Sequence, residues 1–240
     1  MYINMKYFSI ERINRAVRAV REGSLTQEHV TSRVASELSR HYFGKFTIVP
    51  EQIQMGTRKR PDFVIEKFFE NQSVNYWFIP HAFIEVKSLV GKNISDIVEQ
   101  LHDTVLVAMD DWGYNTGHYS AFMIGIKGTK IAFYTYHNLG SLLDDYGWFN
   151  YKGFIPLNFK IPEPLFLKIN ESHPLKEALY QRYLRDLNFY TNHHTLAQKG
   201  VTGITNIPFP HIFDLQNNSH KEDIHNMFVY IANNAANYIT

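Results

Sequence analysis

The chain contains no cysteine. Disulfide frameworks, thiolate zinc sites and cysteine nucleophiles are therefore excluded, and a reducing, cytoplasmic interior is the expected setting. No apolar run approaches the ~20 residues needed to cross a bilayer, so no membrane partner is expected. The N-terminus carries no compact apolar signal segment. Three phosphate- and nucleophile-handling motifs are also missing: Gly-x-x-x-x-Gly-Lys-Ser/Thr, Gly-x-Ser-x-Gly and Gly-x-Gly-x-x-Gly. NTPase, serine hydrolase and dinucleotide-binding readings have no foothold without them.

What is present suits a globular fold. The 240 residues are 45% hydrophobic and 20% charged, enough to bury a real core in one large domain or a domain with an extension. The net charge of +1 is unevenly spread: residues 1–60 carry a balance of +6 and residues 61–150 a balance of −6. A basic first third beside an acidic middle suits a chain that attracts a polyanion and gathers carboxylates at one place; chance surface variation would look the same.

Periodicity divides the chain into elements. Ile10, Ile13, Val17 and Val20 share one helical face while Arg12, Arg15, Arg18 and Arg21 lie elsewhere. Residues 1–25 thus read as an amphipathic helix packed on the core, its arginines turned to phosphates or to solvent. Thr26-Gln27-Glu28 opens a second helix, striped by Val30, Val34, Leu38 and Tyr42, that runs to about His41 with Glu37 at the edge of the stripe.

Phe46–Val49 is a strand, continued past Pro50 by Gln52 and Gln54, and Met55–Arg60 is a basic turn. Strands follow at Asp62–Phe69 and Tyr76–Leu89. Asn93 then caps a helix lined by Ile94, Ile97, Val98, Leu101, Val105 and Met109. Tyr119–Ile126 and Thr129–Tyr136 form a hairpin about Lys127-Gly128. Residues 26–140 are therefore expected to form an α/β core on a mixed sheet. Residues 141–240 read as a loop-rich and helical extension of the same domain, with helices at Leu175–Tyr190 and Ile224–Tyr238.

One constellation carries chemistry. Arg58-Lys59-Arg60-Pro61-Asp62 opens a strand, and Glu85-Val86-Lys87 lies in the next. Alternation puts Glu85 and Lys87 on one face, with Ile84 and Val86 behind. A Glu-x-Lys pair in an apolar strand is costly unless paired or metal-bound. If Asp62 starts the neighbouring strand, two carboxylates meet across the ladder, and a hard, oxygen-seeking dication removes their repulsion.

Other clusters are weaker. His220-x-Glu222-x-x-His225 lacks the spacing that places two imidazoles on one helical face, so these histidines are expected to be solvated, as are His193-His194. Tyr134-Thr135-Tyr136-His137 and Tyr146-Gly147-Trp148-Phe149 could stack on bases, but aromatics alternating along a strand are core residues more often.

Pro61-Asp62 followed by Glu85-Val86-Lys87 on adjacent strands, with a helix before and after, resembles the PD-(D/E)XK nuclease superfamily over residues 26–136. The resemblance implies a restriction-endonuclease-like core: a mixed central sheet flanked by helices, here with a mostly helical C-terminal extension. It implies Mg²⁺ (or Mn²⁺) held by Asp62 and Glu85, completed by an acid on the preceding helix, Glu37 by position before Glu28. Lys87 would hold the attacking water or neutralise phosphate charge. Arg58, Lys59 and Arg60 would contact the nucleic-acid backbone. Gln100 matches the first residue of the Gln-x-x-x-Tyr motif of RecB-like members, but Thr104 stands where Tyr would. The implied activity is phosphodiester hydrolysis, DNA favoured over RNA, with a homodimer compatible. The alternative is an inactive nuclease-like fold that binds nucleic acid or protein.

Overall fold

The computed structural model describes residues 5–20, 28–50, 61–71, 74–90, 97, 100–101, 120–137, 154–156 and 212–234. After a single 3₁₀ turn at Tyr7–Ser9, helices α1 (Glu11–Ala19) and α2 (Glu28–Tyr42) lead into strands β1 (Thr47–Pro50), β2 (Phe63–Asn71) and β3 (Val74–Lys87). Strands β4 (Ser120–Lys127) and β5 (Lys130–His137) form the expected hairpin. The short strands β6 (Phe154–Pro156) and β7 (Phe213–Asp214) follow, then helix α3 (Lys221–Asn233). The strands make one sheet in the order β1-β2-β3-β4-β5-β6, with β7 also pairing to β5. Among the described strands only β3 and β4 pair in parallel; the other pairs are antiparallel. The chain is thus α/β with a mixed sheet.

A parallel pair needs a crossover, because two parallel strands cannot be joined by a tight turn. Here it occupies residues 88–119, of which 88–90, Ile97, Gln100 and Leu101 are described, the last three with helical backbone. Burial on both faces gives β3 and β4 near-continuous apolar sequence. On one face Ile65, Ala82, Ile84, Val86, Phe122, Ile124 and Ile126 join the main core with Val34, Leu38 and Phe228 from the helices. Val64, Phe83 and Met123 alternate onto the other face and are equally buried. Gly125 lies on that second face, where a Cβ would sit 3.1 Å from Ile97 Cγ2 and 3.9 Å from Leu101 Cδ1. The missing side chain lets the crossover helix approach the sheet beside Glu85, the register partner of Gly125.

Helix α3 completes the main core. Phe228 stacks on Tyr42 at 4.6 Å with rings 4° from parallel, and meets Phe133 edge-on at 5.2 Å. Strand β7 belongs to the same core through Phe213, which is fully buried. Neither β6 nor β7 is legible in the sequence, since runs of three and two residues have no periodicity to read.

The arginines of α1 are held in ion pairs: Arg15 and Arg18 each sit 2.9 Å from Glu11, and Arg12 lies 3.0 Å from Glu37. Among the described residues no helix is long and apolar enough to cross a membrane. The basic turn, the helix expected over 175–190 and His193-His194 lie outside the described residues.

Candidate active site at the end of β3

Asp62 stands immediately before β2. The register pairs Val64 with Phe83 and Phe63 with Ile84, so one step further Asp62 faces Glu85. Directly opposed residues of an antiparallel pair project to the same side. The Asp62 carboxylate is fixed there by the Val86 backbone N–H, which donates to Oδ2 at 2.6 Å. Two residues on, Lys87 Nζ donates to Glu85 Oε1 at 2.7 Å. Glu28, at the first turn of α2, brings Oε1 to 3.7 Å from the same ammonium. Three carboxylates and one ammonium therefore gather where β3 ends.

Burial grades these groups. The side chain of Glu85 is 5% exposed and that of Lys87 18%, whereas Glu28 is 49% exposed. Burial pushes the Glu85 carboxyl up to about 7, with help from the charges of Asp62 and Glu28, and the Lys87 hydrogen bond and charge pull only partly against it. For Lys87 burial favours the neutral amine, but Glu85, Asp62 and Glu28 outweigh it and hold its pKa above the usual lysine range. Lys87 is an ammonium, and Glu85 loses its proton near neutrality.

The acid of α2 that reaches this cluster is Glu28. Glu37, assigned from position as the third ligand, lies nine residues further along the helix, about 13 Å at 1.5 Å per residue. It is engaged by Arg12 at 3.0 Å and Arg40 at 3.7 Å. Gln100 is exposed on the crossover helix. Arg58, Lys59 and Arg60 are outside the described residues. Sequence reasoning passed over Lys127, which ends β4 in direct register with Lys87 and adds a second lysine at this end of the sheet. Only the parallel register reveals it, and nothing local in the sequence encodes that register.

His225 of α3 and His220, just before that helix, are both tied into the fold. Tyr42 Oη and His225 Nδ1 share a hydrogen bond of 2.8 Å, and His220 Nδ1 accepts from the Asp214 N–H at 2.9 Å. Glu222, between them in sequence, pairs with Lys6 at 2.5 Å. The expectation of a solvated histidine fails at His225 because its partner comes from a distant segment, and at His220 because the chain turns back on itself over six residues.

Among the described residues no three His, Asp or Glu side chains form a group able to hold a metal by themselves. A zinc cage is thus a poor fit. Magnesium differs: it keeps several waters and is commonly held by one or two carboxylates plus substrate phosphate oxygens. Asp62 and Glu85 match that donor set, and the raised Glu85 carboxyl is the strain a dication would relieve. No family model, curated protein or solved structure matches this chain.

Proposed function

We propose that the chain is a divalent-metal-dependent nuclease of the PD-(D/E)XK type, hydrolysing phosphodiester bonds, in DNA rather than RNA. The observation that carries this reading is Glu85: a carboxyl buried at a strand end, opposite a second carboxylate, with a lysine in contact. A purely structural ion pair would not need the second carboxylate, because like charges side by side cost stability.

Asp62 and Glu85 would hold Mg²⁺ or Mn²⁺, which when bound supplies charge neutralisation at the phosphate and a more acidic water. Asp62 is preset for this by the Val86 N–H, which fixes its carboxylate just before β2. Lys87 brings positive charge to where the attacked phosphate gains negative charge, and Glu28 tethers that ammonium. Lys127 would add a positioning charge on the phosphate backbone beside it.

The direct Lys87–Glu85 contact also suits the second reading, an inactive fold whose lysine satisfies the carboxylate permanently. A nicking and linearisation assay separates the two. Plasmid DNA, single-stranded DNA and RNA are incubated with Mg²⁺, Mn²⁺ or EDTA and wild-type, Asp62→Asn or Lys87→Ala protein. Metal-dependent cleavage lost in both variants is the expected result. Nucleic-acid binding without cleavage under any metal would support the inactive module instead.

A further inference from the structure

At the far end of the β2–β3 pair, a recess of about 330 Å³ is lined by Tyr42, Lys45, Phe46, Lys67, Phe68 and Asn233. Phe68 lies six residues along β2 from Asp62, about 20 Å at 3.3 Å per residue, so this recess is separate from the carboxylate cluster. Its floor is rigid: the Phe46 ring lies on His81 at 4.6 Å, only 25° from parallel. Its wall is an aromatic held toward water. Phe68 is 50% exposed and is braced by Phe78, itself 43% exposed, through an edge contact at 5.5 Å. Lys45 and Lys67 are both exposed, Asn233 offers an amide, and no carboxylate is among the lining residues.

Flat aromatic surfaces, an amide and two cations around one concavity select a ligand that is planar, hydrogen-bonding and anionic. We propose that this recess binds an unpaired nucleotide, its base against Phe46 and Phe68 and its phosphate between Lys45 and Lys67. Charge complementarity decides between occupants: two lysines and no carboxylate line the recess, which favours a phosphodiester over an apolar ligand or peptide. The shared chemistry is a base carrying phosphate, either a free mononucleotide or one residue of a single strand. The inference stands independently of the nuclease reading, because none of these side chains belongs to the Asp62–Glu85 cluster.

The test is fluorescence anisotropy with a labelled ten-nucleotide thymidine oligomer in EDTA, with AMP as competitor. The oligomer binds the wild-type protein. Phe68→Ala weakens binding roughly tenfold or more, the size expected for losing one base–aromatic stack. Lys45→Glu with Lys67→Glu weakens it further and lowers the slope of log K against log salt by about 0.7, the size for one phosphate contact on a single strand. Displacement by AMP assigns the site to mononucleotides; failure of AMP beside tight oligomer binding assigns it to a strand. Unchanged melting of Phe68→Ala shows that the fold is intact, and the lysine pair provides a second variant. The proposal is overturned if wild type does not bind the oligomer, or if Phe68→Ala and the lysine pair both bind as wild type does. It is also overturned if wild type is a dimer that Phe68→Ala dissociates without changing oligomer binding.

Discussion

Strand β3 buries two ionisable side chains four residues apart, His81 and Glu85, and treats them oppositely. His81 is 3% exposed and Glu85 4%. A register shift between Ile65 and Glu66 places an extra β3 residue at His81, which turns His81 toward the main core. There its ring is packed by Phe43, Phe46 and Phe122, and Nε2–H donates to the Ile231 carbonyl at 2.8 Å. Burial drives its pKa down to about 4, so it stays neutral and serves as a polar pin between β3 and α3. Glu85 emerges on the other face, at the strand end, among Asp62, Lys87 and Glu28, and titrates near 7. Burial alone disfavours charge in both. The difference lies in the neighbours: aromatic rings make one residue a core element, and charged groups make the other a poised one.

The largest effect should fall on catalysis. On the nuclease reading, replacing Lys87 by Ala removes a charge that would act where the phosphate becomes more negative, and such a loss costs roughly 3–4 kcal/mol of barrier, about two to three orders of magnitude in rate. The fold and metal binding should survive, since lysine does not ligate the cation. Rates of plasmid nicking beside Mg²⁺ titration by calorimetry check both halves.

The next effect separates the two β3 groups by pH. His81 binds fewer protons folded than unfolded between about pH 4 and 6.5, so its contribution is lost as pH falls through that window. Glu85 binds more protons folded than unfolded between about 4.5 and 7, so its contribution is lost as pH rises. Each is worth roughly 3 kcal/mol, at 1.36 kcal/mol per tenfold. Wild type should therefore show a flattened urea stability profile across this range. Glu85→Gln should expose a steep acid-side loss, and His81→Leu a decline toward neutral pH. Parallel profiles in all three proteins would remove the distinction.

A smaller effect concerns the approach of the crossover helix. A methyl at Gly125 would meet Ile97 Cγ2 at 3.1 Å, so Gly125→Ala should cost about 1–2 kcal/mol by overpacking beside Glu85. Thermal melting measures that cost. The smallest change is expected at Glu37: its pairs with Arg12 and Arg40 join it to largely exposed partners, so Glu37→Gln should alter stability by less than about 1 kcal/mol. Cleavage should be unchanged by it, while Glu28→Gln, which removes one of the two carboxylates holding the Lys87 ammonium, should slow cleavage measurably.

Much of this was legible because it is local. Four-residue spacing of Val30, Val34 and Leu38 marked α2, apolar runs marked β3 and β4, and Lys127-Gly128 marked the hairpin, where Gly128 takes φ +58 at the turn. Pro61-Asp62 and Glu85-x-Lys87 were legible as chemistry because charge in an apolar strand is anomalous. What escaped is what tertiary packing decides. Glu28 and Glu37 share one helix, and which of them faces the strand end depends on how α2 crosses the sheet. The bulge at His81 follows from a mismatch with β2 that neither strand shows alone. His225 looked solvated because its partner, Tyr42, is 183 residues away.

On the nuclease reading, Glu85 is a buried carboxyl kept titratable for a cation. The most direct measurement is its own titration, followed by carbon-13 NMR of the side-chain carboxyl with Asp62→Asn as control. Without metal the midpoint should lie near 7. Saturating Mg²⁺ should move it well down, with proton release at pH 7, and Asp62→Asn should lower the metal-free midpoint and weaken the response. A midpoint at the ordinary glutamate value, or one near 7 that Mg²⁺ leaves unmoved, would contradict the account.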